Sequence, residues 1–592
     1  WISSVKVTPD EVQPAYRGNA KASEEVARHL TQLALADEAA LPESGMGTTD
    51  PHEDRGSNNW LVSGKLTMSG FPIVAGDPHR AQESPNLRYW VHLNAPGWNV
   101  IGAGEAQQPG ISIGHNDYGA WELTAFGTVD EDIYVYRTNP ANPNQYKYKG
   151  NWEDMKIVNE TIAVKGEAPR KVTLKFTRHG PVISEDAAHH AAYGIHASYL
   201  EPGGAPYMSS LRMDQAKTWD EYRDAISYTY YPAENYIWGD KAGHIGYTAS
   251  GHAPLRANSS ALLPVPGDGR YDWDGYLPMK DLPHILDPQK GFYATSNDYQ
   301  VPTGDLATSW PDMRAMHYDW TDPFRAQVED EVLSSGKRFS VADMVALQNN
   351  NSSIPARMLV PLLRDISIGN RGSAEAAKRL LHWDFVLDKD SVEAGIYEMF
   401  QRHLAENFKA TVVPQGARAS LTVPMARLIQ MVNAPDGSFG ADPLAGRNAM
   451  LVKSLDQAVD DLTKQFGADQ AKWNLGAYHF ARILHPLGGA VNAEWEDKLD
   501  IGHIPRGGDA YTVTATGSTD NQAGGGSFKN VFDTENWDNS VGLDNPGQSG
   551  DPADKHYKDL YPLWATGRYF PVFFSRPKVE SVAESNLTLS PN

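Results

Sequence analysis

The feature that most constrains the fold is an order of local patterns: short strand-like runs, then helical periodicity, then short strands again. From Ser57 to about residue 300, runs such as 89–93, 111–113, 172–176 and 244–247 are broken by Gly, Pro and Asn. Trp60-Leu61-Val62 and Pro72-Ile73-Val74-Ala75 flank a Ser69-Gly70 turn, a pattern that predicts a hairpin. From about 339 to 480, apolar positions recur at helical spacing in 341–347, 358–363, 374–381, 396–408 and 450–466. Short strands with Gly-rich turns (RGGDAYTVTATG, NQAGGGSF) return beyond about 500. A chain of 592 residues exceeds what one simple core organises. The pattern therefore predicts a layered α+β enzyme.

Residues before Ser57 read as a separate piece. Between 21 and 41, Val26, Leu30, Leu33 and Leu35 stand among charged residues as an amphipathic helix. Residues 42–56 (PESGMGTTDPHEDRG) form a polar tether of the kind most easily cut. The formal net charge of −22 disfavours nucleic acid and anionic lipid as partners. No apolar run is long enough to cross a bilayer. With no cysteine there is no disulfide, thiolate chemistry or cysteine metal site, and the compartment stays open on that ground. No secretory signal stands at Trp1, so the expectation is that none existed or that it was removed.

The sharpest local feature is Gly56-Ser57-Asn58-Asn59-Trp60, where the tether meets a strand. If the Gly56–Ser57 bond is cut, Ser57 gains an α-amine beside its own hydroxyl. The unperturbed pKa of such an amine is about 7.7–8.0, so part of it is neutral near pH 7 and can take the hydroxyl proton. On its own the pentapeptide reads first as a serine at a loop-to-strand junction.

A series of blocks then appears in order: Gly76-Asp77-Pro78-His79, Pro109-Gly110-Ile111-Ser112-Ile113-Gly114-His115-Asn116, Trp121-Glu122-Leu123-Thr124-Ala125, Arg178-His179-Gly180-Pro181, Asn235-Tyr236-Ile237-Trp238 and Pro264-Val265-Pro266-Gly267-Asp268-Gly269. Near the end stand Arg506-Gly507-Gly508-Asp509, Asn545-Pro546-Gly547-Gln548 and Trp564-Ala565-Thr566-Gly567. From Ser57 to nearly the last residue, the chain resembles the catalytic chain of the penicillin acylases, which are N-terminal-nucleophile hydrolases.

The resemblance implies a four-layer αββα sandwich with an inserted helical region at about 339–480. It implies an amidohydrolase that cleaves an N-acyl amide after cutting its own precursor at Gly56–Ser57. Residues 1–41 would be the end of an α-chain, 42–56 a spacer, and 57–592 the β-chain of a heterodimer from one precursor, periplasmic or secreted. Ser57 would be the nucleophile and its amine the base. The backbone N–H of Ala125 and the amide of Asn235 would hold the oxyanion. His79 would order the α-amine near the Ser57 hydroxyl, and Arg256 would support Asn235. Arg80, Ser112 and Leu123 would line the acyl pocket, where Arg80 replaces an aromatic and suits a polar or anionic chain. His115 and His179 read as structural, and Asp268, Asp272 and Asp274 as a solvated turn.

No cofactor is required. Several relatives hold a structural calcium; Asp132 matches its last ligand, while Val129 occupies the place of the first aspartate. The substrate would be a small N-acyl compound of the β-lactam, acyl-homoserine lactone or lipopeptide type. The alternatives are a non-catalytic exported binding or scaffold protein on the same fold, and a glycosidase with paired carboxylates, for which no spacing singles out a pair.

Overall fold

The computed structural model describes residues 56–590, apart from 205–206, 257–258, 260, 262, 300–319 and 419–420. The helix expected within 21–41 and the tether up to residue 55 lie outside the described residues.

Two antiparallel sheets face each other. The first has the strand order Phe292–Thr295, Ser57–Val62, Ile73–Pro78, Phe528–Asp533, Val541–Asp544, Phe570–Pro571. The second has the order His284–Leu286, Ile245–Ala249, Glu234–Asp240, Gly119–Ala125, Ile113–Asn116, Trp98–Glu105, Arg88–Ala95. The expected hairpin is present, with Trp60 opposite Ala75 and Leu61 opposite Val74.

Every residue of Ser57–Val62 is buried, and its two faces enter different cores. Leu61 and Val74 join Ile237, Tyr247 and Ala249 between the sheets. Trp60, Val62, Ile73 and Ala75 point the other way, into a core shared with the helices Val341–Gln348, Ile354–Leu359, Val392–Val412 and Pro443–Phe466. On the far side of the second sheet, Trp121, Leu123, Tyr236 and Trp238 meet Trp219, Tyr222 and Ile226 of the helix Trp219–Ile226. The layers thus run helix, sheet, sheet, helix, as the resemblance implied. The two-residue side-chain period of a strand fixes this arrangement. A one-residue slip of the first strand would drive Ser57 and Asn59 into the helical core and Trp60 between the sheets.

A third sheet, built from strands between Glu131–Asn139 and Ala191–Ala197, loops out between the two central strands of the second sheet around a tyrosine core of Tyr134, Tyr136, Tyr146 and Tyr148. The helical region begins earlier than expected, at Phe324–Leu333. Ser340 and Asp343 form a capping box at its second helix. The segment RGGDAYTVTATG is not a strand. The Asp509 carboxylate accepts from the backbone of Tyr511 and Thr512 at 2.9 Å each, and Gly508 lies at φ 83, so local turns take the N–H groups that a ladder would need.

Candidate active site

Ser57 opens its strand at the point where both sheets end. The backbone N–H of Ala125, last residue of its strand in the second sheet, donates to Ser57 Oγ at 3.3 Å. The Asn297 carboxamide donates to the same oxygen at 3.3 Å through Nδ2. Its Oδ1 accepts from the Ser57 nitrogen at 2.6 Å. That nitrogen is an amide while Gly56 is attached; it stands for the amine that cleavage would release. Two donors thus converge on the space beside Oγ, one neutral side chain and one backbone group, as an oxyanion hole requires.

The asparagine facing the Ser57 hydroxyl is therefore Asn297, whereas the sequence reading named Asn235. Strand register explains the difference. Asn59 pairs with Thr295 across the edge of the first sheet, so continuing the antiparallel register brings residue 297 opposite Ser57. Asn235 pairs with Thr124 in the second sheet. Its Nδ2 donates to Thr124 Oγ1 and to the Ala125 carbonyl, both at 3.0 Å, and Tyr247 donates to its Oδ1 at 2.8 Å. Asn235 thus holds the Ala125 peptide one bond away from the hydroxyl. Asn297 sits in the left-handed region at φ 60, which asparagine tolerates better than most residues.

The arginine beside Asn297 is likewise Arg325, at the start of the helix Phe324–Leu333, and not Arg256. Arg325 is buried and donates to the Ser57 carbonyl at 2.8 Å, to Asn58 Oδ1 at 2.6 Å and to Asn297 Oδ1 at 3.1 Å. The planar guanidinium suits one group serving three acceptors. Burial lowers its pKa, and the Glu329, Asp77 and Asp298 carboxylates work against that shift. Arg256 instead pairs with Asp132 at 2.8 Å in the third sheet.

His79 touches the strand start from the other side. Its backbone N–H donates to the Gly56 carbonyl at 3.0 Å, and its ring meets Asn58 Nδ2 at 3.3 Å. The ring bonds the residue after Ser57; the expected contact with the Ser57 hydroxyl is not among its hydrogen bonds in the described residues. Burial lowers its pKa to about 4, against the pull of Asp77, so the imidazole is neutral at pH 7. A side chain at residue 56 would meet His79 Nδ1 at 2.4 Å, which restricts the position to glycine. Asn58 also donates to the Val513 carbonyl at 2.8 Å, tying the turn-rich 506–527 segment to the site. Behind these groups the Thr124 and Thr295 hydroxyls share a bond at 2.6 Å, and Thr295 donates to Asn59 at 2.8 Å.

The penicillin amidase family model matches residues 7–581. The chain belongs to the penicillin amidase family. It is 29% identical to the penicillin acylase 2 proenzyme of Pseudomonas sp. strain SE83 over 96% of this chain and 73% of that protein. It is 27% identical to an acyl-homoserine lactone acylase of Pseudomonas fluorescens over 95% of this chain and 70% of that one. Among solved structures, a thermostable penicillin G acylase from Alcaligenes faecalis superposes with a TM-score of 0.72 at 22% identity, covering 90% of this chain and 99% of the other. This member of the family is an amide hydrolase on the N-terminal-nucleophile fold.

Within the penicillin amidase frame, the residues expected to line the acyl pocket separate. Ser112 lines a narrow crevice with Glu105, Gln108, Gly110, Tyr207 and Ser210, too tight to admit a water molecule. Leu123 is buried in the core behind the sheet. The Arg80 guanidinium donates to the His79 carbonyl at 3.0 Å. Burial acts to lower its pKa, but nearby Glu234, Tyr207 and Glu105 outweigh it and leave it raised.

Asp132, matched to the last calcium ligand of the relatives, has one carboxylate oxygen engaged. Its Oδ2 accepts from Arg256 at 2.8 Å and from Trp273 at 2.5 Å, so a cation and a donor already occupy that oxygen. No group of three or more His, Asp or Glu side chains among the described residues is placed to hold a metal. Asp272 accepts from Tyr148 at 2.6 Å and pairs with His179 at 3.0 Å, and His115 is buried and stacked on Trp537 at 4.2 Å, roles that are structural.

Proposed function

We propose that Ser57 is the nucleophile of an N-acyl amide hydrolase that first releases its own α-amine by cutting the Gly56–Ser57 bond. The observation that carries this reading is the convergence of Ala125 N–H and Asn297 Nδ2 on the hydroxyl of a residue whose nitrogen is held by the same asparagine.

In the self-cleavage, Ser57 Oγ attacks the Gly56 carbonyl. The oxygen that gains charge is the one already receiving the His79 N–H. The C–N bond breaks, the acyl group moves to Oγ, and water hydrolyses the resulting ester. With substrate, the freed amine takes the hydroxyl proton as Oγ bonds the amide carbon. Ala125 and Asn297 hold the oxyanion. Collapse breaks the C–N bond and the ammonium protonates the leaving amine. Water then attacks the acyl-serine ester, giving its proton to the amine, and the acid departs. Asn297 Oδ1 accepts one amine hydrogen, which leaves the lone pair free for Oγ.

The substrate is a small N-acyl compound of the kind that the relatives' names describe, penicillins or acyl-homoserine lactones. The mature protein is an exported heterodimer of the segments on either side of the cut; no described helix is long and apolar enough to cross a membrane.

Treatment with phenylmethylsulfonyl fluoride followed by peptide mass spectrometry tests the assignment. The expected adduct is on the peptide that begins at Ser57, with loss of amide hydrolysis in proportion to labelling. Full hydrolysis by fully labelled protein, or by Ser57→Ala, would refute it.

A further inference from the structure

We infer that Asp77, a buried carboxylate with no part in the chemistry proposed above, is a positioning residue: through Asn58 and Arg325 it fixes the polarity of a hydrogen-bond chain that ends on Asn297 and the Ser57 hydroxyl. The inference rests on Ser57 being the nucleophile.

Asp77 pairs with Asn58 across the hairpin, and the two-residue period of both strands turns these side chains to the helical layer, on the face that carries Trp60 and Ala75. Lys529 of the neighbouring strand Phe528–Asp533 joins them there. Asp77 is fully buried. Its Oδ2 faces three nitrogens: Asn58 Nδ2 at 3.3 Å, His79 Nε2 at 3.6 Å and Lys529 Nζ at 3.9 Å. Its Oδ1 has no hydrogen-bond partner among the described residues. Desolvation offsets most of the attraction in a buried ion pair, so stability alone does not account for a carboxylate at this place.

The chain of bonds that starts at Oδ2 does account for it. A guanidinium has only donors and a carboxylate only acceptors. Arg325 donates from Nη1 to Asn58 Oδ1 at 2.6 Å. The Asn58 amide hydrogens are thereby turned away from it, one to the Val513 carbonyl at 2.8 Å and one to Asp77. Arg325 donates from Nη2 to Asn297 Oδ1 at 3.1 Å. With that oxygen engaged, Nδ2 is the end of Asn297 that reaches Ser57 Oγ, at 3.3 Å. The carboxylate thus orients Asn58, Asn58 orients Nη1, and the rigid fork that carries Nη1 and Nη2 orients Asn297. Bonds linked in series in a dry interior also polarise one another, so a negative charge at one end strengthens the donor at the other.

The test uses matured protein, with active sites counted by sulfonyl labelling of Ser57 and kinetics on one anilide substrate. Asp77→Asn keeps the shape, removes the charge and gives Asn58 a neighbour that can present either end of its amide. Its kcat is expected to fall by about tenfold, the range of a hydrogen bond to a charged group, with KM within about twofold of wild type. Because Asp77→Asn leaves Lys529 unpaired, Asp77→Asn/Lys529→Met is made as well; it removes both charges and is expected to fold with the same loss of kcat. In an Asn58→Ala background the Asp77→Asn change is expected to cost less than about twofold, since the link it acts through is gone. An unchanged kcat in either folded variant, recovery of wild-type kcat on adding Lys529→Met, or an equal loss with and without Asn58 would overturn the positioning role. So would failure of both variants to fold, which would make Asp77 a support of the interior. Each of these leaves the hydrolase assignment standing; wild-type protein with neither hydrolysis nor labelling at Ser57 would overturn that assignment itself.

Discussion

At the scale of single residues, the site depends on one asparagine serving two atoms of the same serine. Asn297 binds the Ser57 nitrogen and hydroxyl together, while Asn235 acts only through the Ala125 peptide. The two asparagines should therefore differ in how much turnover they carry. Asn297→Gly removes the carboxamide and is compatible with φ 60, so it is expected to lower kcat by about 10²–10³ without much loss of stability. Asn235→Ala is expected to cost about tenfold, the worth of a net hydrogen bond that positions a donor. Steady-state kinetics with one anilide substrate checks both, and a larger loss at Asn235 than at Asn297 would reverse the assignment. Ser57, Ala125 and His79, which the family resemblance named together, stand together in the structure, although the His79 ring meets Asn58 where a contact with the Ser57 hydroxyl was expected. Asn297 and Arg325 were not legible in the sequence. Asn235 is as good a strand-end amide as Asn297 in composition, and only the pairing of Asn59 with Thr295 shows which one faces the nucleophile. Arg256 was misplaced for the same reason: its partner, Asp132, is distant in sequence and belongs to another sheet.

At the scale of elements, polar anchors fix the helix layer to the second sheet. Asp214 follows the short helix Ser210–Met213 and accepts from Ile111 N–H at 3.1 Å through Oδ2. Burial pushes its carboxyl up to about 8, against that bond, so it is largely protonated at pH 7. In the unfolded chain the same group ionises near pH 4. Between about pH 4 and pH 8 the unfolded state has lost a proton that the folded state keeps, so this group's contribution to stability falls as pH rises through that window. Asp214→Asn keeps an acceptor for Ile111 and removes the titration. Urea midpoints at pH 5 and pH 8 are therefore expected to differ less in the variant than in the wild type. An equal or larger difference would place the Asp214 carboxylate in an environment that tolerates its charge. Strand and helix periodicity predicted the hairpin and most of the helices in 339–480. It failed in 506–527, where Thr and Val alternate as in a strand while Asp509 and the glycines commit the backbone to turns.

At the scale of the whole molecule, Ser57 lies where two sheets, a helix and a distant turn segment meet. Ser57 is bonded to Asn297 across the sheet edge, to Ala125 from the facing sheet and to Arg325 from the helix Phe324–Leu333, and Asn58 is bonded to Val513. A strand start held at so many points can lose its covalent link to Gly56 and keep its place. A chain cut there would keep its site assembled. The residue pattern alone led to a layered α+β enzyme and the family resemblance supplied the layer order; the interlayer bonds were not legible, because they join residues as far apart as Asn58 and Val513, 455 positions. Edman sequencing of purified, active protein measures the key event directly. The expected result is a polypeptide that begins Ser-Asn-Asn-Trp, with hydrolysis rising in step with its appearance. Full amide hydrolysis by protein in which Gly56 is still joined to Ser57 would contradict it, since no free amine would then stand beside the hydroxyl.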